Sequence, residues 1–168
     1  MPDISPAEII RDGQRVPNRH ILLGERDAVD IEIPDGPLIV PLALWQARQA
    51  ELRGRADLGV WLDSDQPPAA IAADLEAFTV IAINFPVFTD GRGFSYARAL
   101  RKRHHYKGEL RAIGPFIRDQ LFYMHRCGFN AYALATDDLD SALQSLEVFS
   151  DAYQASYDRA EPLFRRRG

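Results

Sequence analysis

Cysteine is nearly absent from this chain: Cys127 is the only one in 168 residues. One cysteine excludes an internal disulfide and a dithiol redox cycle, and it fits a reducing compartment. Placed where a helix should end, its thiolate is disfavoured by the helix dipole, so an inert buried thiol is expected. No apolar run approaches the length that spans a bilayer. Met1-Pro2-Asp3-Ile4-Ser5 lacks a basic segment followed by an apolar stretch, so no secretory signal is expected and a cytoplasmic location is. Excess positive charge is lacking too. The formal net charge is −4, which speaks against general nucleic-acid binding. There is no lysine-bearing phosphate loop and no glycine-framed serine elbow. His104 and His105 are adjacent and diverge on a helix, and His125 has no neighbour at ligand spacing, so no metal site is expected.

What is present is an ordinary globular composition, 46% hydrophobic and 26% charged. A chain this long suits one domain and buries roughly 70% of its unfolded surface. Residues 1–37 are irregular. Asp12-Gly13 and Pro34-Asp35-Gly36-Pro37 signal turns around β-like pieces at 21–23 and 29–33, which predicts a short β-rich N-terminal arm or antiparallel ribbon. From residue 38 to 168 a single α/β domain is expected. Short apolar runs at 38–40, 58–62, 78–83, 110–113 and 129–134 suit buried parallel strands. Between and after them, amphipathic segments at 42–53, 67–77, 93–105, 115–127 and 139–154 suit helices. Pro67 and Pro115 fall at first turns, Gly54, Gly108 and Gly128 follow helix ends, and Asp137 or Asp138 can cap the last helix. About five β-α units imply a parallel sheet with right-handed crossovers. Either a flavodoxin-like open sheet or a partial (β/α) barrel satisfies this, because a complete barrel needs about 250 residues. No repeat beyond the strand-helix alternation is visible, and Arg165-Arg166-Arg167-Gly168 reads as a solvated basic end.

In both architectures ligands bind at the C-terminal edge of the strands. Polar residues expected near that edge are Asp63, Ser64, Asp65, Asn84, Gly114, Thr136 and Asp137, with Arg118 and Asp119 close to it in the first turn of the helix after Gly114. Asp90-Gly-Arg-Gly-Phe-Ser95 opens a predicted helix, whose free amides favour an anion beside Arg92 and Ser95. Alternatively, Ser95 caps the helix and Arg92 pairs with Asp90. The nicotinamide fingerprint is incomplete, since Tyr96 stands where a third glycine belongs and Glu109 begins the next strand on the opposite edge. Arg111 lies in a strand that should be buried, so it needs a partner, with Asp119 and Asp63 as candidates. It is either a structural ion pair or, with Arg118, one of two clamps on an anion. Asp119 is the candidate acid-base group and Asp63 the reserve. Asp63 and Asp65 read as a helix cap or, less simply, a magnesium pair. Arg98, Arg101, Lys102, Arg103, His104, His105 and Lys107 read as a solvated helix face or a binding stripe. The aromatic helix with Phe116, Ile117, Leu121, Phe122, Tyr123 and Met124 is covered on two sides, by the fold or in a homo-oligomer.

Three segments carry a family resemblance: Asp90-Gly-Arg-Gly-Phe-Ser-Tyr-Ala-Arg-Ala-Leu-Arg101, Gly108-Glu-Leu-Arg-Ala-Ile-Gly114 and Arg118-Asp-Gln-Leu-Phe-Tyr-Met-His-Arg-Cys-Gly-Phe-Asn-Ala-Tyr132. With the closing Phe149-Ser-Asp-Ala-Tyr-Gln154, they resemble the bacterial domain of unknown function family 934 over about residues 38–154. That resemblance implies a place in assimilatory sulfate and sulfite reduction, with sulfite reductase as the implied partner and small oxyanions as the pathway's substrates. Members often carry an oxidoreductase label, which fits poorly with a chain lacking a nicotinamide fingerprint. A flavin in a flavodoxin-type loop is left open. Two functions are therefore expected as alternatives: a non-catalytic accessory of sulfite reductase, or a small enzyme acting on an anionic metabolite.

Overall fold

The computed structural model describes residues 5–87, 89–116, 118–134 and 138–150. Eight strands form one sheet in the order β2-β1-β8-β7-β6-β5-β4-β3. They are β1 Glu8–Arg11, β2 Gln14–Pro17, β3 Ile21–Leu22, β4 Leu38–Pro41, β5 Leu58–Leu62, β6 Val80–Asn84, β7 Glu109–Ile113 and β8 Ala131–Tyr132. From β3 to β8 every neighbouring pair is parallel and follows chain order. The five expected strands are all present and parallel, the last of them shortened to two residues.

This strand order overturns the flavodoxin-like alternative. A doubly wound sheet reverses its winding direction and so carries helices on both faces. Here the winding never reverses, and right-handed crossovers then stack the helices on one face alone. Leu38, Val40, Val60, Leu62, Ile81, Ile83 and Leu110 form that face's core with Trp45, Ile71, Leu100, Leu121 and Met124. The opposite face is concave, and the sheet curls into a half-barrel. Ile39, Trp61, Val80, Ala82 and Ile113 line the hollow. Gly59 makes the curl tight. A Cβ there would stand 3.0 Å from Ile39 Cγ1 and 3.1 Å from Val80 Cβ. Side chains of β4 and β6 therefore meet across β5 and fill the hollow themselves.

The first 37 residues differ in detail from the expected arm. Their antiparallel ribbon is β1 and β2, closed by Asp12 and Gly13 at φ 52° and 78°, the left-handed pair that a two-residue hairpin turn requires. This ribbon adds to β8 in antiparallel fashion. The piece at 21–22 pairs with β4 at the other end of the sheet, whereas 29–33 is no strand. Residues 23–37 form a strap linking β3 to β4 without a helix. Arginines hold its carbonyls: Arg48 donates to Val29 and Ile31, and Arg55 to Pro34 and Gly36.

Helices also depart from their expected forms. The segment expected at 42–53 is broken into α1 Leu42–Ala47 and α2 Gln49–Leu52, with Arg48 at φ −131° between them. Pro68–Ala77 is a 3-10 helix. α3 Arg92–Arg98 widens into a π-helical turn at Ala99–Arg103, and a 3-10 turn at Arg118–Gln120 precedes α4 Leu121–Cys127. α5 spans Leu139–Ser150, and Asp138 caps it by accepting the Ser141 N–H at 3.1 Å. Of the earlier expectations, Thr136, Asp137, Ile117 and residues 151–168 lie outside the described residues.

One residue of the expected basic face turns inward. Arg101 is only 8% exposed. It donates to the carbonyls of Gly128, Tyr106 and Gly108 at 2.9, 2.9 and 2.8 Å and to Asn130 Oδ1 at 3.3 Å. The wide π turn swings it off the solvent side and under the helix. Gly128, at φ 117°, has no room for a Cβ because Arg101 Cγ would lie 2.6 Å away.

Candidate functional site

The C-terminal edge of the half-barrel gathers a polar network. Strand register sets Asp63, just past β5, beside Asn84 of β6. Asp63 Oδ1 accepts Asn84 Nδ2 at 3.1 Å and the Ser64 N–H at 2.9 Å. Its Oδ2 accepts Arg26 Nη1 at 3.1 Å. Arg26 reaches down from the strap and also bonds Asp65 at 2.7 and 2.8 Å, so two carboxylates share one guanidinium. This contact holds the Asp65 carboxyl below its usual range.

Ser64 links that group to the start of α3. Its Oγ accepts Arg92 Nη2 at 2.9 Å, and its carbonyl accepts the Tyr96 hydroxyl at 2.6 Å. Arg92 pairs with Asp90 through both Nε and Nη2, and its backbone N–H donates to Asp90 Oδ1 at 3.1 Å. The Arg92 guanidinium, seconded by that N–H, holds the Asp90 carboxyl far below the usual carboxylate range. Thus the anion at this helix start is supplied by the chain itself. Ser95 is not the cap; it sits exposed within α3, which starts after Gly91. An open pocket lined by Gly24 through Ala28 adjoins the network on the strap side.

Gly114 completes the edge. At φ 98°, its missing Cβ leaves 2.5 Å to Asn84 Oδ1 and to the Phe85 carbonyl oxygen. No L side chain fits that combination, which keeps Asn84 aimed at Asp63.

Arg111 lies elsewhere. It projects into the hollow beside Ala82 and Ala131 and bonds Glu109 Oε2 at 2.7 Å and Asn18 Oδ1 at 3.2 Å. The partners expected for it, Asp119 and Asp63, are replaced by Glu109, two residues earlier on the same strand face. That geometry follows from the period of two, which aligns alternate side chains. Near it, His20 Nε2 lies 2.8 Å from Asp57 Oδ1, which also accepts Thr79 Oγ at 2.7 Å. Burial, aided by the Arg111 charge, pushes the His20 imidazolium toward losing its proton. This second polar cluster sits at the N-terminal edge, because Asp57, Thr79 and Glu109 all stand at strand starts.

Arg118 is in a third place. It bonds Ser141 Oγ on α5, while Asp119 is exposed beside it. So Asp63, Arg92 and, through its helix, Ser95 share the C-terminal edge, but Arg111 is turned to the other end and Arg118 to α5. Arg26, His20 and Asp57 were not singled out from sequence. Arg26 falls in a segment without periodicity, and only its position before a glycine-free acidic stretch marks it. Tyr96 stands where a dinucleotide loop would have its third glycine, and its hydroxyl is a second link, beside Arg92, between α3 and Ser64.

Among the described residues, no group of three or more His, Cys, Asp or Glu is arranged to hold a metal ion. No helix among them is long and apolar enough to cross a membrane. Cys127 is fully buried, and burial pushes its thiol pKa up, as an inert thiol requires.

The fold is thus that of a singly wound α/β half-barrel with a polar network at the C-terminal edge of its strands. The chain belongs to a family described as bacterial proteins of unknown function (DUF934), whose model matches residues 59–164. The match takes in β5 through α5 and therefore most of the polar edge. Neither the curated proteins nor the solved structures yield a match.

Proposed function

We propose that the chain is an accessory protein of assimilatory sulfite reduction, acting with sulfite reductase and carrying no catalytic step of its own. The pathway comes from the family resemblance. The observation that carries the accessory role is the separation of the arginines that an oxyanion site would need together. Arg92, Arg111 and Arg118 each bond a different partner within the chain, Asp90, Glu109 and Ser141, and Arg111 does so at the opposite edge from Arg92. Fold alone fixes no function, and half-barrels host binding as well as chemistry.

The test is sulfite turnover by the cognate reductase at limiting electron donor, with and without this chain. Stimulation that saturates with concentration is expected; an active reductase indifferent to the chain overturns the reading.

A second reading has one observation in its favour, the Asp63–Arg26–Ser64–Arg92 network beside an open pocket at the C-terminal edge. It is a small enzyme acting on an anionic metabolite, with Asp63 as the acid-base group. Sulfate or phosphate at 100 times its Kd would then stabilise the fold by about 2.7 kcal/mol. Arg92→Ala would abolish that gain, and unchanged anion affinity in the variant removes Arg92 from any such site.

A further inference from the structure

The outer side of α3, the π turn and α4 carries a surface unlike the rest of the molecule. From Gly91 to Gly108, and again from Leu121 to Leu134, there is no Asp or Glu. Of the flanking carboxylates, Asp90 and Glu109 are already paired with Arg92 and Arg111, and Asp119 stands exposed ahead of α4. Lys102, Arg103, His105 and Lys107 are exposed. Among the described residues Lys102, Arg103 and Lys107 make no ion pair with a carboxylate, so they leave positive charge on a chain whose net charge is −4.

An aromatic centre adjoins that face. Tyr123 of α4 is 39% exposed. Its ring meets Phe94 of α3 edge-on at 4.8 Å. The Arg98 guanidinium lies 5.3 Å from the same ring centroid and donates to the Tyr123 hydroxyl at 3.0 Å. An arginine stacked on a half-exposed tyrosine is the composition of interface hot spots.

The face is also rigid. Arg101 ties the π turn to the end of α4 through the Gly128 carbonyl, and to the strand that follows through Gly108. The two helices therefore hold their cations and aromatics in fixed relation before any partner arrives, which lowers the ordering cost of binding.

We propose that this face docks an acidic patch on a protein partner; resting on the accessory reading above, that partner is sulfite reductase. A compact protein patch suits it better than a nucleic acid. A long polyanion would run past the cations onto a chain with net negative charge, whereas a bounded acidic surface meets the cations and the Tyr123 centre alone.

The test measures binding of the purified full-length chain to purified reductase at low and physiological salt. Wild-type chain is compared with the double charge reversal Lys102→Glu/Arg103→Glu and with Tyr123→Ala. All three side chains are exposed, and an unchanged Tm confirms that each variant folds. Lys102→Gln/Arg103→Gln stands in should the reversal lower it. The expected result is tenfold or greater weakening for the charge reversal, severalfold weakening for Tyr123→Ala, and wild-type affinity that falls as salt rises. Wild-type affinity in both variants overturns this face while leaving the accessory reading intact. No binding by the wild type overturns the reading and the partner together. Charge-sensitive binding to a 20-base-pair duplex, with none to the reductase, overturns the choice of a protein partner.

Discussion

Arg101 shows how a side chain that reads as solvated can be a structural keystone of its neighbourhood. Its guanidinium satisfies three carbonyls and one side-chain oxygen at the junction of the π turn, β7 and the end of α4. Arg101→Met retains bulk but leaves those carbonyls without their donor, at about 1–3 kcal/mol for each that water does not reach. A loss of about 3 kcal/mol in urea unfolding is expected, and a change under 1 kcal/mol would show that solvent substitutes for the guanidinium. Arg111 teaches the complementary lesson. Its need for a partner was legible from an apolar strand, but the partner was the carboxylate two residues away, not one across the fold.

Among the elements, β5 is the most constrained, since Gly59 sits where the sheet folds over itself. Gly59→Ala forces the Ile39 and Val80 side chains apart or flattens the curl, and overpacking of this kind costs about 1–3 kcal/mol. The expected signature is a lowered Tm with weakened amide protection across β4 and β6; an unperturbed Tm would mean that the curl has slack. Five parallel strands were readable because each is a short apolar run with a helix after it, a pattern local to each unit. Strand order was not, because flavodoxin-like and half-barrel sheets use the same local units and differ only in the direction of each crossover. Composition misplaces the β-ribbon because residues 29–33 are strand-like in content, yet run as a strap whose carbonyls bond to arginines, not to a neighbouring strand. At the candidate edge, Asp63, Asn84 and Arg92 followed from their places after strands. Arg26 did not, for it arrives from the strap, and no periodicity announces an irregular segment.

For the whole molecule, acid stability is tied to His20. Burial lowers its folded pKa below the unfolded value of 6.5, so between those two values the unfolded chain binds the extra proton. Stability then rises with pH across that window and is lost as pH falls through it, at about 1.4 kcal/mol per pH unit from this group. His20→Gln should flatten that slope below pH 6.5 in denaturation measured across the range; an identical slope would exonerate the imidazole. The sheet also imposes a schedule on its own assembly. From β3 to β8 each strand lays itself beside the one made just before, so a nascent chain can add them in turn with one crossover to close at each step. The ribbon is the exception. Ile10 pairs with Tyr132 and Arg11 with Ala131, so the first strands synthesised wait for the last one of the sheet before they have a place to bind. Until β8 leaves the ribosome, the ribbon is a ready-made β edge without its partner, and it joins the sheet only after strands made later than itself.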